Sequence, residues 1–280
     1  MTRYLLVLAT DCGGSDEGRS LIAASRCFYP HDVFVPFFAT ASMETLHCGF
    51  IAAAHALSTI DHFGPLRDGE KIGILVNAAP RHGTENGETL RGASRKRSGE
   101  EIYALLLDNG VWVVGPNADF NFFFLRDRVR ESYLVVDRSG AETPFRSLEV
   151  MIPALADRLG ARTFENLTFE PKALPVFTPE PGIFVADWDN HDNLYLVSTR
   201  SDESWIPPLG EERAFRVGSN LARLRHVDGI FAGKTGEQTL TTGSLKLNGK
   251  PVHYVVVVGS KARAMLGNPA VGTKVVIEDE

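Results

Sequence analysis

Apolar runs that end abruptly on turn residues organise the first half of the chain. Residues 5–9, Leu-Leu-Val-Leu-Ala, are wholly apolar and stop at Thr10-Asp11 and a glycine pair, which predicts a short buried strand. Strand-like and helix-like segments then alternate through residues 19–28, 33–38, 43–60, 71–77, 102–108, 111–114 and 148–159. Such alternation predicts an α/β domain over residues 1–170. In open α/β sheets ligands lie outside the carboxyl ends of the strands, so Asp11 is expected to face one.

The pattern changes at "FEPKALPVFTPEPG", residues 169–182, whose four prolines exclude a helix or a central strand. A Pro-rich linker is therefore placed at 171–182. Beyond it, strand-sized runs at 183–186, 194–198, 213–217, 238–245, 252–258 and 274–277 are separated by turns, predicting a C-terminal antiparallel β domain over 183–280. Residues 85–101 are polar and Gly-rich with four basic side chains. They read as a solvated loop or as a lid near a site.

Composition narrows the function. The 280 residues are 44% hydrophobic and carry a net charge of −6, without the basic excess that phosphate-backbone binding needs. Nucleic acid is not expected as a partner. Cys12, Cys27 and Cys48 are too few and scattered for a disulfide framework or a zinc site, which fits a reducing cytoplasm. No secretion signal is visible and no apolar run approaches the roughly 20 residues that span a bilayer, so a cytoplasmic protein without membrane association is expected.

The glycines of "DCGGSDEG" match neither a dinucleotide fingerprint nor a P-loop. No zincin, nucleophile-elbow or kinase signature occurs. "ADWDNHDNLY", residues 186–195, gathers three aspartates and a histidine after a strand, but lacks the Gly and the final Glu of a calcium loop. An acid poised for an ammonium group suits it better, and no metal is expected. Asp187 repeats the strand-end placement of Asp11.

Taken in order, "TDCGGSD" (10–16), "NAAPRHG" (77–83), "NGVWVVGPNADF" (109–120), "TPFRSLEVMIPALADRLG" (143–160) and "ADWDNHDNLYLV" (186–197) resemble one family. It is the S-adenosylmethionine (SAM) hydroxide adenosyltransferases, together with the SAM-dependent chlorinase and fluorinase. The resemblance spans nearly the whole chain, each motif in diverged form. It implies an N-terminal Rossmann-like α/β domain joined to a C-terminal β domain. It also implies a homotrimer with SAM as substrate between neighbouring subunits, and metal-free displacement of methionine at the ribose C5′ by a desolvated, aligned nucleophile.

Carried over by position, the resemblance makes Asp11 the ribose-binding acid, one carboxylate accepting from two vicinal hydroxyls. A helix cap or turn former is its plainer alternative. Asp16 is the second acid of that motif, at the site rim or capping a turn. Asp187 matches the acid for the methionine ammonium, with Trp188 beside it near the ligand, and Asn193 matches the asparagine of the "D…GN" turn. Ser260 and Lys261 resemble the Ser-Arg pair for the methionine carboxylate, Lys lacking the bidentate fork of Arg. Asn117 in "GPNADF" stands where the family has "PDNG" or "PNNG", with Ala118 and Asp119 departing. One of Phe120, Phe122, Phe123 and Phe124 could stack on adenine, although packing explains most of them.

The departures bear on mechanism. Hydroxide-transferring members use an Asp in "DPGVG" and a His in "TFHGRD", positions that fall on Ala79 and Phe145 here. Arg95 or Arg97 could supply the arginine of that set. Without a base to handle the water proton, hydroxide transfer by that route is disfavoured. At positions corresponding to the halide pocket of the halogenating members stand His82 and Arg146, which would overfill a bare halide site but suit an oxyanion such as a carboxylate. The plainer alternatives are a loop histidine, and an arginine turned outward or paired with Glu149. Three readings follow. One is C5′ substitution on SAM with an acceptor other than hydroxide. Another is SAM cleavage of lyase or cyclase type giving methylthioadenosine. The third is a non-catalytic SAM- or adenosine-binding protein.

Overall fold

A computed structural model describes residues 2–11, 15–40, 44–58, 64–78, 84–85, 88–89, 100–139, 146–175, 177–247 and 249–278. The chain forms two compact units, Met1–Phe177 and Thr178–Glu280. Both are rich in sheet, and helices are few.

The first unit carries strands β1 (Arg3–Thr10), β2 (Val33–Phe34), β3 (Phe37–Ala39), β4 (Glu70–Asn77), β5 (Thr84–Glu85), β6 (Glu88–Thr89), β7 (Ile102–Leu107), β8 (Trp112–Pro116), β9 (Val129–Asp137) and β10 (Leu167–Pro171). β5 and β6 make a separate small ladder. The rest form one sheet in the order β10-β9-β7-β8-β4-β1-β2, with β3 also on β1. β1 is parallel to β2, β3 and β4, and β4 to β8, whereas β7 and β10 run antiparallel to their neighbours.

Side-chain alternation on β1 feeds two layers. Leu6 and Leu8 join a core with Ala24 and Phe28 of helix α1 (Ser15–Phe28) and Leu155 of helix α3 (Ile152–Arg158). Helix α2 (Thr45–Ala53) is buried along nearly its whole length, and its Cys48 Sγ–H donates to Ala9 O at 3.1 Å.

Residues 102–107 depart from strict strand-helix alternation. They form a strand that makes a hairpin with β8, and all six are buried, so the run offers no polar face by which a strand could be told from a buried helix.

The second unit is a closed barrel. Its strands are β11 (Ile183–Trp188), β12 (Leu194–Ser198), β13 (Glu212–Val217), β14 (Asn220–Val227), β15 (Gln238–Leu247), β16 (Lys250–Val257) and β17 (Lys274–Ile277), in the order β11-β12-β16-β15-β14-β13-β17. The expectation of a purely antiparallel domain is corrected here, since β14 and β15 pair in parallel. Parallel neighbours cannot share a tight hairpin, which accounts for the long connection across residues 228–237. Val185, Leu196, Phe215, Leu224, Leu240 and Val255 fill the core. Among the described residues of the chain, no helix is long and apolar enough to cross a membrane.

His253 is 2% exposed, with its ring 4.9 Å from that of Trp205. Burial, reinforced by the charge of His226, pulls its pKa from 6.5 down to about 4. The unfolded chain therefore takes up the proton first as pH falls. Stability is fully present above pH 6.5 and drains away toward pH 4, by ~2 kcal/mol between pH 7 and pH 5. Melting curves at the two pH values should show this loss in the wild type and a flatter dependence in His253→Gln. An equal slope in both proteins would remove His253 as the cause.

Candidate functional site

In the first unit the chain leaves β1, places β2 and β3 against one side of it, and crosses to lay β4 on the other. Open α/β sheets bind ligands outside the carboxyl ends of their strands at such a reversal. Asp11 follows the end of β1 there, half-exposed. Its N–H donates to Asn77 O at 3.0 Å, and Asn77 Nδ2 donates to Thr10 Oγ1 at 2.9 Å. Asn77, which sequence reasoning misses, thus ties the ends of both strands and fixes the direction in which Asp11 leaves the sheet. An asparagine closing an apolar strand is the available signal.

Asn117 lies at the same edge, at the end of β8. Its N–H donates to Glu101 O at 2.8 Å and its side-chain amide to Pro175 O at 3.0 Å, so one of its polar groups holds the segment after β10. Behind it Asn121, fully buried, donates through Nδ2 to Ala78 O at 2.6 Å and Pro116 O at 3.0 Å, clamping the ends of β4 and β8.

Arg146 is half-buried, and its Nη2 donates to Glu100 O at 2.5 Å, just ahead of β7. Burial lowers its pKa, opposed by the Glu100 charge. Because β7 begins opposite Pro116, the end of β8, Arg146 is bonded to the same sheet edge as Asp11 and Asn117.

Phe122, Phe123 and Phe124 are buried in packing, and Phe120 is half-buried against Phe123, Phe124 and Phe177. Asp16 is the second residue of helix α1, and its side chain lies outside the described residues, as do Ala79, His82, Arg95, Arg97 and Phe145. The segment 85–101 is described only at the short strands β5 and β6 and at Glu100–Glu101.

In the barrel, Asp187 and Trp188 end β11, and the Asp187 carboxylate accepts the Trp188 N–H at 2.8 Å. The turn that follows is built on Asp189. Its carboxylate accepts from His191 N–H at 2.8 Å, Asn193 N–H at 3.0 Å and the Asn193 side-chain amide at 2.9 Å. Asn193, 8% exposed, therefore braces the turn. Tyr195 and Tyr254 meet at 4.6 Å beside this acid, and burial together with Asp189 raises both phenol pKa values.

Ser260 is exposed and its N–H donates to Val257 O at 3.1 Å. Lys261 pairs with Asp192 at 3.2 Å. Arg263, two residues on and outside every sequence motif, places its guanidinium 3.5 Å from the Trp188 ring centroid. Nothing local in the sequence marks that contact, which depends on β11 and β16 both pairing with β12.

A crystal structure of an uncharacterized conserved protein from Thermotoga maritima is similar to 98% of this chain and 100% of that one, at 14% identity and a TM-score of 0.66. A conserved hypothetical protein from Thermus thermophilus is similar over 99% and 100%, at 18% identity and a TM-score of 0.57. At these identities the likeness is one of fold. No family model and no curated protein matches the sequence.

Proposed function

We propose that the protein is a SAM-dependent enzyme of the adenosyltransferase and halogenase type, working as a homotrimer in the cytoplasm with a Rossmann-like N-terminal domain. In this reading a nucleophile other than hydroxide forms a bond to C5′ while the C5′–S bond breaks. The bonding electron pair leaves with sulfur, giving neutral L-methionine.

One observation carries the reading furthest. Asp119 and Asp192, at φ 38 and 59, hold left-handed backbone. They occupy the positions at which the family motifs "PNNG" and "D…GN" have glycine, the residue that adopts this conformation without strain. Two departures in sequence thus fall where the backbone takes the conformation that suits glycine, aspartate being among the side chains that tolerate it best.

Asp11 at the strand reversal suits a ribose diol, and Asp187 at the end of β11 suits an ammonium group. Arg146, bonded to the edge that carries Asp11, suits an anionic acceptor such as a carboxylate. The non-catalytic alternative draws support from Ala79 and Phe145, which leave no group to activate water.

Incubating the protein with SAM and resolving methionine, adenosine, methylthioadenosine and any adenosyl adduct tests the proposal. Methionine release with a new adduct, dependent on a supplied carboxylate acceptor, is expected. Methylthioadenosine would point to cleavage of lyase or cyclase type. Tight SAM binding without products would favour a sensor, and no binding at all would end the SAM reading.

A further inference from the structure

Strand β17 is supported unequally on its two sides. Toward β13 its ladder runs on to Ile277, and Glu278 N–H donates to Ala214 O at 3.0 Å. Toward β11 it stops at Val275, opposite Ile183. Because bonded and non-bonded pairs alternate along an antiparallel ladder, the N–H and C=O of Ile277 point away from β13, to the side that β11 has left. Continued in register, the residue opposite Ile277 would be Pro181, which has no N–H to offer. The chain there is drawn toward β12 instead: Gly182 N–H donates to Thr199 Oγ1 at 2.9 Å, and Thr199 Oγ1 donates to Glu180 O at 2.8 Å. Among the described residues, neither main-chain group of Ile277 has a hydrogen-bond partner.

This open edge lines a cavity of about 780 Å³ within the barrel unit. Two cations share the lining. Arg213 gives one N–H to Ser204 O, Lys274 is exposed, and neither has an acidic partner among the described residues. Of the two acids there, Glu278 is taken by Arg216 at 2.5 Å, and Glu212 stands opposite Arg225 across the ladder of β13 and β14. Val276, 43% exposed, lies on the same face of β17 as Lys274, two residues away.

We propose that this edge docks an extended acidic segment of a partner protein, which lies beside β17 as one short added strand. Its main chain exchanges hydrogen bonds with Ile277, and a carboxylate on it meets Arg213 and Lys274. Strand addition draws affinity from the main chain and selectivity from the side chains along the edge. A bare carboxylate answers the cations and the Ile277 N–H but has no donor for the Ile277 C=O. The cavity lies at the start of β11, whereas Asp187 lies at its end, so the proposal does not rest on the SAM reading.

Fluorescence anisotropy of the full chain with a labelled, end-blocked pentapeptide, Thr-Val-Glu-Val-Thr, tests this. It is expected to bind at least about tenfold tighter than the same peptide with lysine at the centre. Two analogues N-methylated on alternate residues, one for each edge of the strand, separate main-chain pairing from charge attraction. One of them should lose roughly three- to tenfold, the range for a single hydrogen bond. Joint replacement by Arg213→Gln and Lys274→Gln should erase the preference for glutamate over lysine. The proposal is overturned by no binding up to the millimolar range, by equal affinity of the parent and both methylated forms, or by a glutamate preference that survives the double variant. Displacement by free glutamate as readily as by unlabelled peptide would likewise reduce the site to one for small anions. In the free protein the Ile277 N–H should exchange rapidly with solvent, and protection that grows with protein concentration would show a second copy covering the edge in place of a partner.

Discussion

Asp11→Asn is expected to weaken adenosine binding about 100-fold. A carboxylate that accepts from two vicinal hydroxyls makes two charge-assisted bonds, each worth roughly 1.5–3 kcal/mol. The amide keeps one neutral acceptor and points a donor at a donor. Asp11 is fixed through its backbone bond to Asn77, so the substitution should change chemistry without moving the chain. Calorimetry with adenosine and 2′-deoxyadenosine separates a ribose contact from a general loss. The wild type should discriminate strongly between them and the variant should not. Equal affinity of the wild type for both nucleosides would show that Asp11 does not read the diol.

Gly49→Ala should destabilise the first unit by about 3 kcal/mol, the upper part of the range for overpacking. Helix propensity alone predicts the opposite sign, since alanine is favoured over glycine by up to ~1 kcal/mol. Sterics decide the matter. A Cβ on Gly49 would sit on the carbonyl oxygen of Phe120, 2.9 Å from its carbon and 3.2 Å from Asn121 Cα. All three are backbone atoms that cannot swing aside, and they belong to the turn whose Asn121 clamps β4 to β8. A thermal melt should fall by roughly 6–12 °C, from 2–4 °C per kcal/mol in a unit of this size. A variant melting at or above the wild type would show that α2 can retreat from the turn freely.

Much of the fold is legible along the chain because it rests on local signals. The apolar run ending at Thr10-Asp11 is strand β1, and the Pro-rich stretch contains the division between the units. What escapes is set by distant neighbours. In "VRESYLVVD", strand β9, one residue of nine is fully buried, because the strand lies near the margin of the sheet, where burial no longer marks the pattern. β14, "NLARLRHV", escapes for a related reason, as its arginines and the exposed Leu221 blur the alternation.

The site divides in the same way. Asp11 and Asp187 are visible as acids that end apolar runs. Lys261 stands out by its place in a motif, yet its charge is directed to Asp192. Arg263 meets Trp188 only through the pairing of β11 and β16 with β12, which no local stretch of sequence reveals.

The barrel has a seam. β17 joins β11 on one flank and β13 on the other through a four-residue strand, and its pairing with β11 spans only two residue pairs. The first and last strands of the unit must therefore find each other across almost its full length, a non-local search of the kind that slows folding. Until synthesis has passed Ile277, the nascent barrel keeps two raw margins, and it is at that late stage that a chaperone or a neighbouring chain could most readily intervene.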